Sequence, residues 1–507
     1  MVEVAGGLTG KLQRLEELCR EMLGDRRLII ASNRGPVEYS LDPNGELVAN
    51  RGSGGMVTAL LAASRFVPVT WIASAMTEGD RRAAQLAGGA VQLPDAQVYV
   101  HFVQVPRAVY QRFYYTFANP LLWFLQHFMW NTPRTPNIGR AVYEAWDDGY
   151  VRVNQAFAEA IVEAASGSAA PYVMLQDYHL YLAPADVRER LPEATILHFT
   201  HIPWPSPHYW GILPKFMRQS IHECMCASDI VGLQTRNDVR NFLHSCEAIL
   251  DDAYIDYQRS CVTHNGRTTF VYAYPISIDS YGLLEFAETP EVQRYVESLR
   301  ERVTGKLVVR VDRSEPSKNI IRGLRSWELI LERYPEYRGE TTLMQFLVPS
   351  RSELGVYQTY TDEVFETVDS INDQYATDDW QPVQVFYENN YAQAIAGMQL
   401  YDVLFVNPLL DGMNLVAKEG PLVNKGDGVM VLSEQAGAHE QLGEYALSIC
   451  PTDLEGTQRA LLEALTMPIE ERRRREAALK RLVLEEDITF WLERQLRDLL
   501  TASRRAL

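Results

Sequence analysis

Arg313 and Lys318 lie five residues apart in VDRSEPSKN, after an apolar run and ahead of a helical pattern. Two cations beside the backbone N–H groups of a helix start suit a pyrophosphate. In a group transfer they would neutralise the departing phosphates, which is the main electrostatic task. The segment 411–424, DGMNLVAKEGPLVN, reads as a loop entering a helix. Gly412 permits a tight turn, and the amides that follow can meet a sugar or phosphate oxygen. Glu419 is eight residues after Asp411, about two helical turns on, and could accept both hydroxyls of a ribose. Asp177 and His201 stand among aromatics and prolines at predicted strand exits. A lone Asp or His in such a place is more often a structural hydrogen-bonder; two on neighbouring strands point to a sugar site. Tyr114 and Trp123 belong to the aromatic run 114–130, YYTFANPLLWFLQHFMW, which is core by default but carries ring faces of the kind that line sugar pockets. GSGG at 52–55 is too short for a dinucleotide fingerprint, yet could bring backbone close to a ligand. No Ser-His-Asp arrangement, P-loop or HExxH motif occurs.

These residues need strands and helices to hold them. Apolar strand candidates are 28–32, 70–73, 98–105, 172–176, 195–200, 230–234 and 269–273 in the first half. In the second half they are 306–311, 342–348, 383–387, 403–406, 429–432 and 446–449. Helical spacing fills the gaps between them, for instance 140–165, and returns at 488–507 with Trp491, Leu492, Leu496, Leu499 and Leu500. Strands alternating with helices imply parallel sheets covered on both faces. Two such blocks meet near YPISID, 274–279, so two doubly wound α/β domains in tandem are expected. Ligands of open α/β sheets bind beyond the carboxyl ends of strands. The polar residues Asn33, Arg34, Asp177, His201, Arg313, Lys318, Arg351 and Asp411 all follow predicted strands, so one inter-domain cleft could collect them.

The 507 residues suffice for two or three domains and a large core without disulfides or metals. A net charge of -18 argues against a nucleic-acid partner, because duplex binding depends on basic residues displacing counterions. Six cysteines occur without CxxC or zinc spacing, which suits a reducing compartment. Residues 8–23 are too charged for a secretory core, and Leu8, Leu12, Leu15, Cys19 and Met22 fall near one helical face, so a helix packing on the body or on another subunit is expected. No apolar run reaches the roughly 18 residues of a membrane span. A cytoplasmic protein with no membrane partner is expected.

Taken together, QDYH (176–179), HIPWP (201–205), SNR (32–34), SGGM (53–56), VLSEQAGA (431–438) and above all DGMNLVAKE (411–419) resemble the trehalose-6-phosphate synthase family, which has the glycosyltransferase-B (GT-B) fold. The resemblance runs from about Leu28 to the last helix. It implies two Rossmann-like domains facing across a cleft: a helical extension at 1–26, an acceptor-binding domain at 27–275, a nucleotide-sugar-binding domain at 276–485, and a C-terminal helix at 486–507 packing back on the first domain. It also implies retaining transfer of glucose from a nucleotide sugar, UDP-glucose before GDP-glucose, to glucose 6-phosphate, with no cofactor and no metal. By the same resemblance Arg34, Tyr114, Trp123, Asp177 and Arg351 would hold the acceptor. Gly55, Arg313 and Lys318 would meet the donor pyrophosphate, and Asp411, Met413, Asn414, Leu415 and Val416 the transferred glucose and phosphates. Glu419 would bind ribose and His201 the donor sugar. His201, Asp177, Arg313 and Lys318 are the catalytic candidates.

Three departures stand out. WIASAM (71–76) replaces a Trp-rich stretch, RSEPSKN (313–319) replaces RLDYSKG, and PLLDGMN (408–414) replaces PLRDGMN. The first two resemble related enzymes that couple a nucleotide cyclitol to a phosphorylated aminocyclitol, so a transferase with another phosphorylated acceptor is the alternative reading. A non-catalytic sugar-phosphate sensor would be expected to lose some of Arg313, Lys318, Asp411 and Glu419, and all four are present. A homo-oligomer stays open.

Overall fold

Runs such as LIIAS, YVMLQ and VLFV carry no polar alternation, and a strand of that kind must be buried on both faces. The structure, a computed structural model, meets that demand with two parallel-stranded sheets. It describes all residues except 1, 24–25, 52–56, 58–59, 61–63, 65, 94–96, 169, 351–354 and 506–507. The chain divides into unit 1, Met1–Ile276 with Ile488–Leu507, and unit 2, Ser277–Asp487.

Unit 1 contains strands β1 (Leu28–Ser32), β2 (Val37–Leu41), β3 (Leu47–Arg51), β4 (Val69–Ser74), β5 (Val91–Gln92), β6 (Val98–Val103), β7 (Tyr172–Gln176), β8 (Thr195–Phe199), β9 (Ile230–Leu233), β10 (Tyr254–Asp256), β11 (Cys261–His264) and β12 (Arg267–Ala273). The main sheet runs β10-β11-β12-β9-β8-β7-β1-β4-β6-β5. From β12 to β6 every pairing is parallel. The strand order reverses at β1, whose neighbours are β4 and β7. Ligands of such sheets bind at that reversal. Strands β2 and β3 form a separate hairpin, in which the Asp42 carboxylate accepts the N–H groups of Asn44 and Glu46, each at 2.8 Å.

The expected N-terminal helix spans Val2–Leu23 and buries Leu15, Cys19 and Met22. It packs on the C-terminal helix Ile488–Arg505, where Arg14 lies 3.6 Å from Glu493. That last helix is tied to unit 1: the Trp491 indole N–H donates to the Tyr274 carbonyl at 3.0 Å, and the Tyr274 hydroxyl donates to Asp498 at 2.8 Å. The helical pattern at 140–165 is not one regular helix. A π-helical turn, Trp146–Val151, interrupts it, with Gly149 lodged where a Cβ would sit 2.7 Å from the Phe113 nitrogen. The aromatic run beginning at Tyr114 is likewise π-helical over Arg112–Leu122 before the helix Trp123–Gln126.

Unit 2 contains β13 (Lys306–Arg313), β14 (Thr341–Val348), β15 (Val383–Tyr387), β16 (Val403–Val406), β17 (Val429–Ser433) and β18 (Leu447–Ile449). Its sheet runs β15-β14-β13-β16-β17-β18, parallel throughout. Here the order reverses between β13 and β16. The helix Ile320–Arg333 follows β13 and buries Ile320, Leu324, Trp327 and Leu331, one i, i+3/i+4 stripe, against the sheet. Each such side chain contributes about 1.5–3 kcal/mol of burial, which anchors the loop ahead of the helix. Among the described residues, no helix is long and apolar enough to cross a membrane.

Candidate active site

In unit 1 the candidate residues leave neighbouring strands at the reversal. β1 runs into Asn33, which is buried and accepts a hydrogen bond from the Ser74 hydroxyl at 2.9 Å, so the next residue, Arg34, projects from a fixed base. Arg34 lies beside Tyr114, whose phenol favours the charged guanidinium. Tyr114 in turn lies between two rings, Tyr110 (centroids 5.6 Å, interplanar 12°) and His179 (5.9 Å, 11°). The His179 Nδ1 is 4.0 Å from Asp177. Trp123 is only 7% exposed and stacks on His127 at 3.9 Å, so it forms a wall of the site with little ring face left over.

Asp177, at the exit of β7, has φ 72° and ψ 169°. That region is essentially reserved for glycine, and a side chain held there costs about 1–3 kcal/mol. The backbone is held there from both sides: the Asp177 N–H donates to the Phe199 carbonyl at 2.6 Å, and its carboxylate accepts the His201 N–H at 3.1 Å. His201, past the end of β8, pairs Nε2 with the Gln176 Oε1 at 2.9 Å. Burial pushes the His201 pKa down to about 3, so the ring is neutral at physiological pH. Arg34, Tyr114, Asp177 and His201 are thus linked through shared neighbours, and Trp123 stands behind them.

Unit 2 brings its candidates to the exits of β13 and β16. After β13 a short 3₁₀ turn, Pro316–Lys318, leads to Asn319 in the left-handed region (φ 58°) and then the helix Ile320–Arg333. Arg313 is 44% exposed and lies 2.9 Å from Glu315, which is 1% exposed and also accepts the Ser317 hydroxyl at 3.1 Å. Lys318 reaches across to Asp411 at 2.5 Å. Beneath them, the fully buried Arg310 donates to Asp312 at 2.9 Å and to the Lys318 carbonyl at 2.8 Å, which fixes the turn from below.

Asp411 also accepts the Asn414 amide at 3.1 Å, and Asn414 holds φ 72°. The 431–438 segment braces this loop: Gly437 N–H donates to the Asp411 carbonyl and Ala438 N–H to the Met413 carbonyl, both at 2.9 Å. A Cβ on Gly437 would sit 1.8 Å from the Gly412 oxygen, so only glycine fits. The helix begins at Val416, after the loop expected from Asp411 on. Glu419 is therefore in its first turn, nearer the loop than two helical turns would put it. Met413 and Asn414 are buried, and Leu415 and Val416 half-buried at the helix start. Glu419 accepts the Tyr391 hydroxyl at 3.0 Å; burial raises its pKa and that hydrogen bond opposes the rise. Gly55 and Arg351 lie outside the described residues.

Sequence reading passed over Tyr110, His179, Arg310, Glu315 and Tyr391. His179 had a signal, standing inside the QDYH segment, whereas Tyr110 meets Asn33 only through the fold. Arg310 had none, since an arginine in an apolar strand gives no hint of what it spans. Among the described residues no group of three or more His, Cys, Asp or Glu side chains is placed to hold a metal ion.

Residues 26–501 match the model of glycosyltransferase family 20. The chain belongs to that family. It is a glycosyltransferase with the GT-B fold, of the kind found in the trehalose-6-phosphate synthases. Among family-20 relatives, the chain is 32% identical over 480 residues to the validamine 7-phosphate valienyltransferase of Streptomyces hygroscopicus subsp. jinggangensis, covering 92% of this chain and 93% of that one. It is also 32% identical over 493 residues to α,α-trehalose-phosphate synthase [UDP-forming] 2 of Aspergillus fumigatus, covering 95% and 98%. The crystal structure of an α,α-trehalose-phosphate synthase (UDP-forming) from Burkholderia xenovorans in complex with glucose-6-phosphate superposes with a TM-score of 0.79 at 26% identity, over 93% of this chain and 99% of that one. In this family-20 chain, Arg34, Asp177 and His201 follow β1, β7 and β8, and Arg313, Lys318 and Asp411 lie at or beyond the ends of β13 and β16.

Proposed function

We propose that this glycosyltransferase moves glucose from UDP-glucose to O1 of glucose 6-phosphate with retention of configuration, giving α,α-trehalose 6-phosphate and UDP. The C1–O bond to the diphosphate breaks, the bond from C1 to the acceptor oxygen forms, and the acceptor's proton leaves with the diphosphate. The nucleotide is taken as uridine because the Aspergillus relative is named as UDP-forming; the acceptor follows the Burkholderia enzyme's bound glucose-6-phosphate. Unit 2 would bind the donor and residues 27–275 the acceptor. Arg313 and Lys318 meet the diphosphate charge, so the reading needs no metal ion. Asp411, Asn414 and the helix start at Val416 hold the transferred glucose and phosphates, and Glu419 holds the ribose. His201, neutral, presents a lone pair to the donor sugar, and Asp177 accepts an acceptor hydroxyl. Substrates of this class place the activity in the cytoplasm.

The observation that carries the reading is the Arg34–Tyr114 pair at the exit of β1, beside Asp177 and His201. A guanidinium and a phenol set by ring stacking make a fixed phosphate cradle next to the sugar-binding carboxylate. A second reading has its own support. In the 71–76 segment Trp71 turns inward, donating to Ser32 at 2.8 Å, while Ala73 and Ala75 are small and buried, so this segment offers the acceptor no tryptophan. That favours an aminocyclitol phosphate acceptor, as the valienyltransferase relative is named for. Relative kcat/KM with UDP-glucose decides: glucose 6-phosphate should exceed both free glucose and validamine 7-phosphate by at least tenfold, about 1.4 kcal/mol of transition-state preference. Preference for the cyclitol replaces the first reading with the second.

A further inference from the structure

Glu419 does not stand alone at its helix. The Tyr391 hydroxyl donates to its Oε1 at 3.0 Å. Tyr391 opens the helix Tyr391–Leu400, and that start is fixed by Asn390, whose side chain accepts the Gln393 N–H at 3.0 Å and donates to the Tyr295 hydroxyl at 2.9 Å. The Tyr391 ring is set from its face by Phe286, with centroids 5.5 Å apart and 20° between planes. Backbone and ring are both held, so the phenol points at the carboxylate while 49% of the residue stays exposed. Burial and the neighbouring Glu419 carboxylate push the phenol well above its usual pKa, so it stays a donor.

A carboxylate has about four lone-pair sites on two oxygens. With one taken by a fixed phenol, its plane is set, and Oε2 with the remaining lone pairs can face a vicinal diol. We infer that Tyr391 is a positioning residue that orients the Glu419 carboxylate toward the two ribose hydroxyls, and so makes the donor site select a ribonucleotide over its 2′-deoxy counterpart. The inference rests on the reading of Glu419 as the ribose ligand. Without the phenol the carboxylate turns freely and contacts one hydroxyl about as well as two, so selectivity falls while the phosphate contacts remain.

The test is calorimetric binding of UDP and 2′-deoxy-UDP to the full chain, with GDP and its 2′-deoxy form as a second pair, for the native protein, Tyr391→Phe and Glu419→Gln. Phenylalanine keeps the ring and its stack on Phe286, so the fold is preserved, and thermal midpoints verify it. The native protein should prefer the ribonucleotide by at least tenfold, the worth of a hydrogen bond to a charged group, and both variants should bring the ratio to within about threefold. In turnover, Tyr391→Phe should raise the donor KM about tenfold and leave kcat within threefold, a split that a purely structural residue would not produce. A ratio unchanged in Glu419→Gln, or no nucleotide binding by the native protein, removes the ribose reading and the inference with it. A ratio lost in Glu419→Gln but kept in Tyr391→Phe overturns the inference alone.

Discussion

Removing Arg313 separates its chemistry from its structural role. Its guanidinium is 44% exposed and pairs at 2.9 Å with Glu315, which is 1% exposed. Solvent screening holds the pair itself to about 1 kcal/mol or less. Arg313→Ala, however, leaves a buried carboxylate without that cation, with hydroxyl partners at 3.1 Å (Ser317) and 3.4 Å (Ser350). Taking a charged partner from a buried carboxylate costs about 1–3 kcal/mol. The catalytic loss should be larger: one missing donor to charge that develops in the transition state costs about 10²–10³ in turnover, or 2.7–4 kcal/mol. The decisive comparison is the double variant Arg313→Ala/Glu315→Gln. A neutral amide keeps the serine contacts without a buried charge, so urea unfolding should return most of the lost stability, while UDP release with glucose 6-phosphate should stay at least a hundredfold down. Activity that recovers in step with stability would refute the reasoning, since Arg313 would then serve only to hold the turn.

Asp177→Gly should be more stable than Asp177→Ala by about 1–2 kcal/mol, because glycine adopts φ 72°, ψ 169° without the side-chain penalty; both should lose activity, and equal stabilities would mean the strain is not real. Gly437→Ala would put a Cβ 1.8 Å from the Gly412 oxygen and displace the 411–414 loop; stability should fall by about 1–3 kcal/mol and kcat/KM by about a hundredfold, and native kinetics would contradict the bracing role. Burial depresses His198 and His201 to about 3 and His222 to about 4. Below about pH 6.5 the unfolded chain binds protons that the folded chain refuses, so stability falls with decreasing pH from there to about 4, by about 1.4 kcal/mol per unit for each histidine. His222→Gln should flatten that slope in urea titrations; an unchanged slope would count against it.

The central parallel strands were legible because burial on both faces writes them as apolar runs; 28–32, 172–176 and 403–406 agree with the structure to the residue, as does the half-buried edge strand 383–387. What escaped were short edge strands and hairpins. The Asn265-Gly266 pair joining β11 to β12, with φ 50° and 73°, is a strong hairpin signal, but the four residues of β11 are too few to register as an apolar run. The hairpin of β2 and β3 turns through Asp42-Pro43-Asn44-Gly45, equally readable and equally passed over. Strand exits were the productive place to look, since Lys318 and Asp411, 93 residues apart in sequence, meet at 2.5 Å where β13 and β16 adjoin. The loop read ahead of the helix in 411–424 runs on to Val416, since Asn414 enters the left-handed region. Arg310 and Tyr391 were not legible at all: each acts through a partner distant in sequence, and nothing local marks that.

The central claim is retaining transfer of glucose onto O1 of glucose 6-phosphate. It is tested most directly by carbon NMR of the product made from UDP-glucose labelled at C1 and unlabelled glucose 6-phosphate. The account predicts a 1,1-linked disaccharide phosphate with the labelled carbon in the α configuration, formed in step with UDP. A β-configured label, label released as free glucose, or coupling that occurs with an aminocyclitol phosphate and not with glucose 6-phosphate would contradict it.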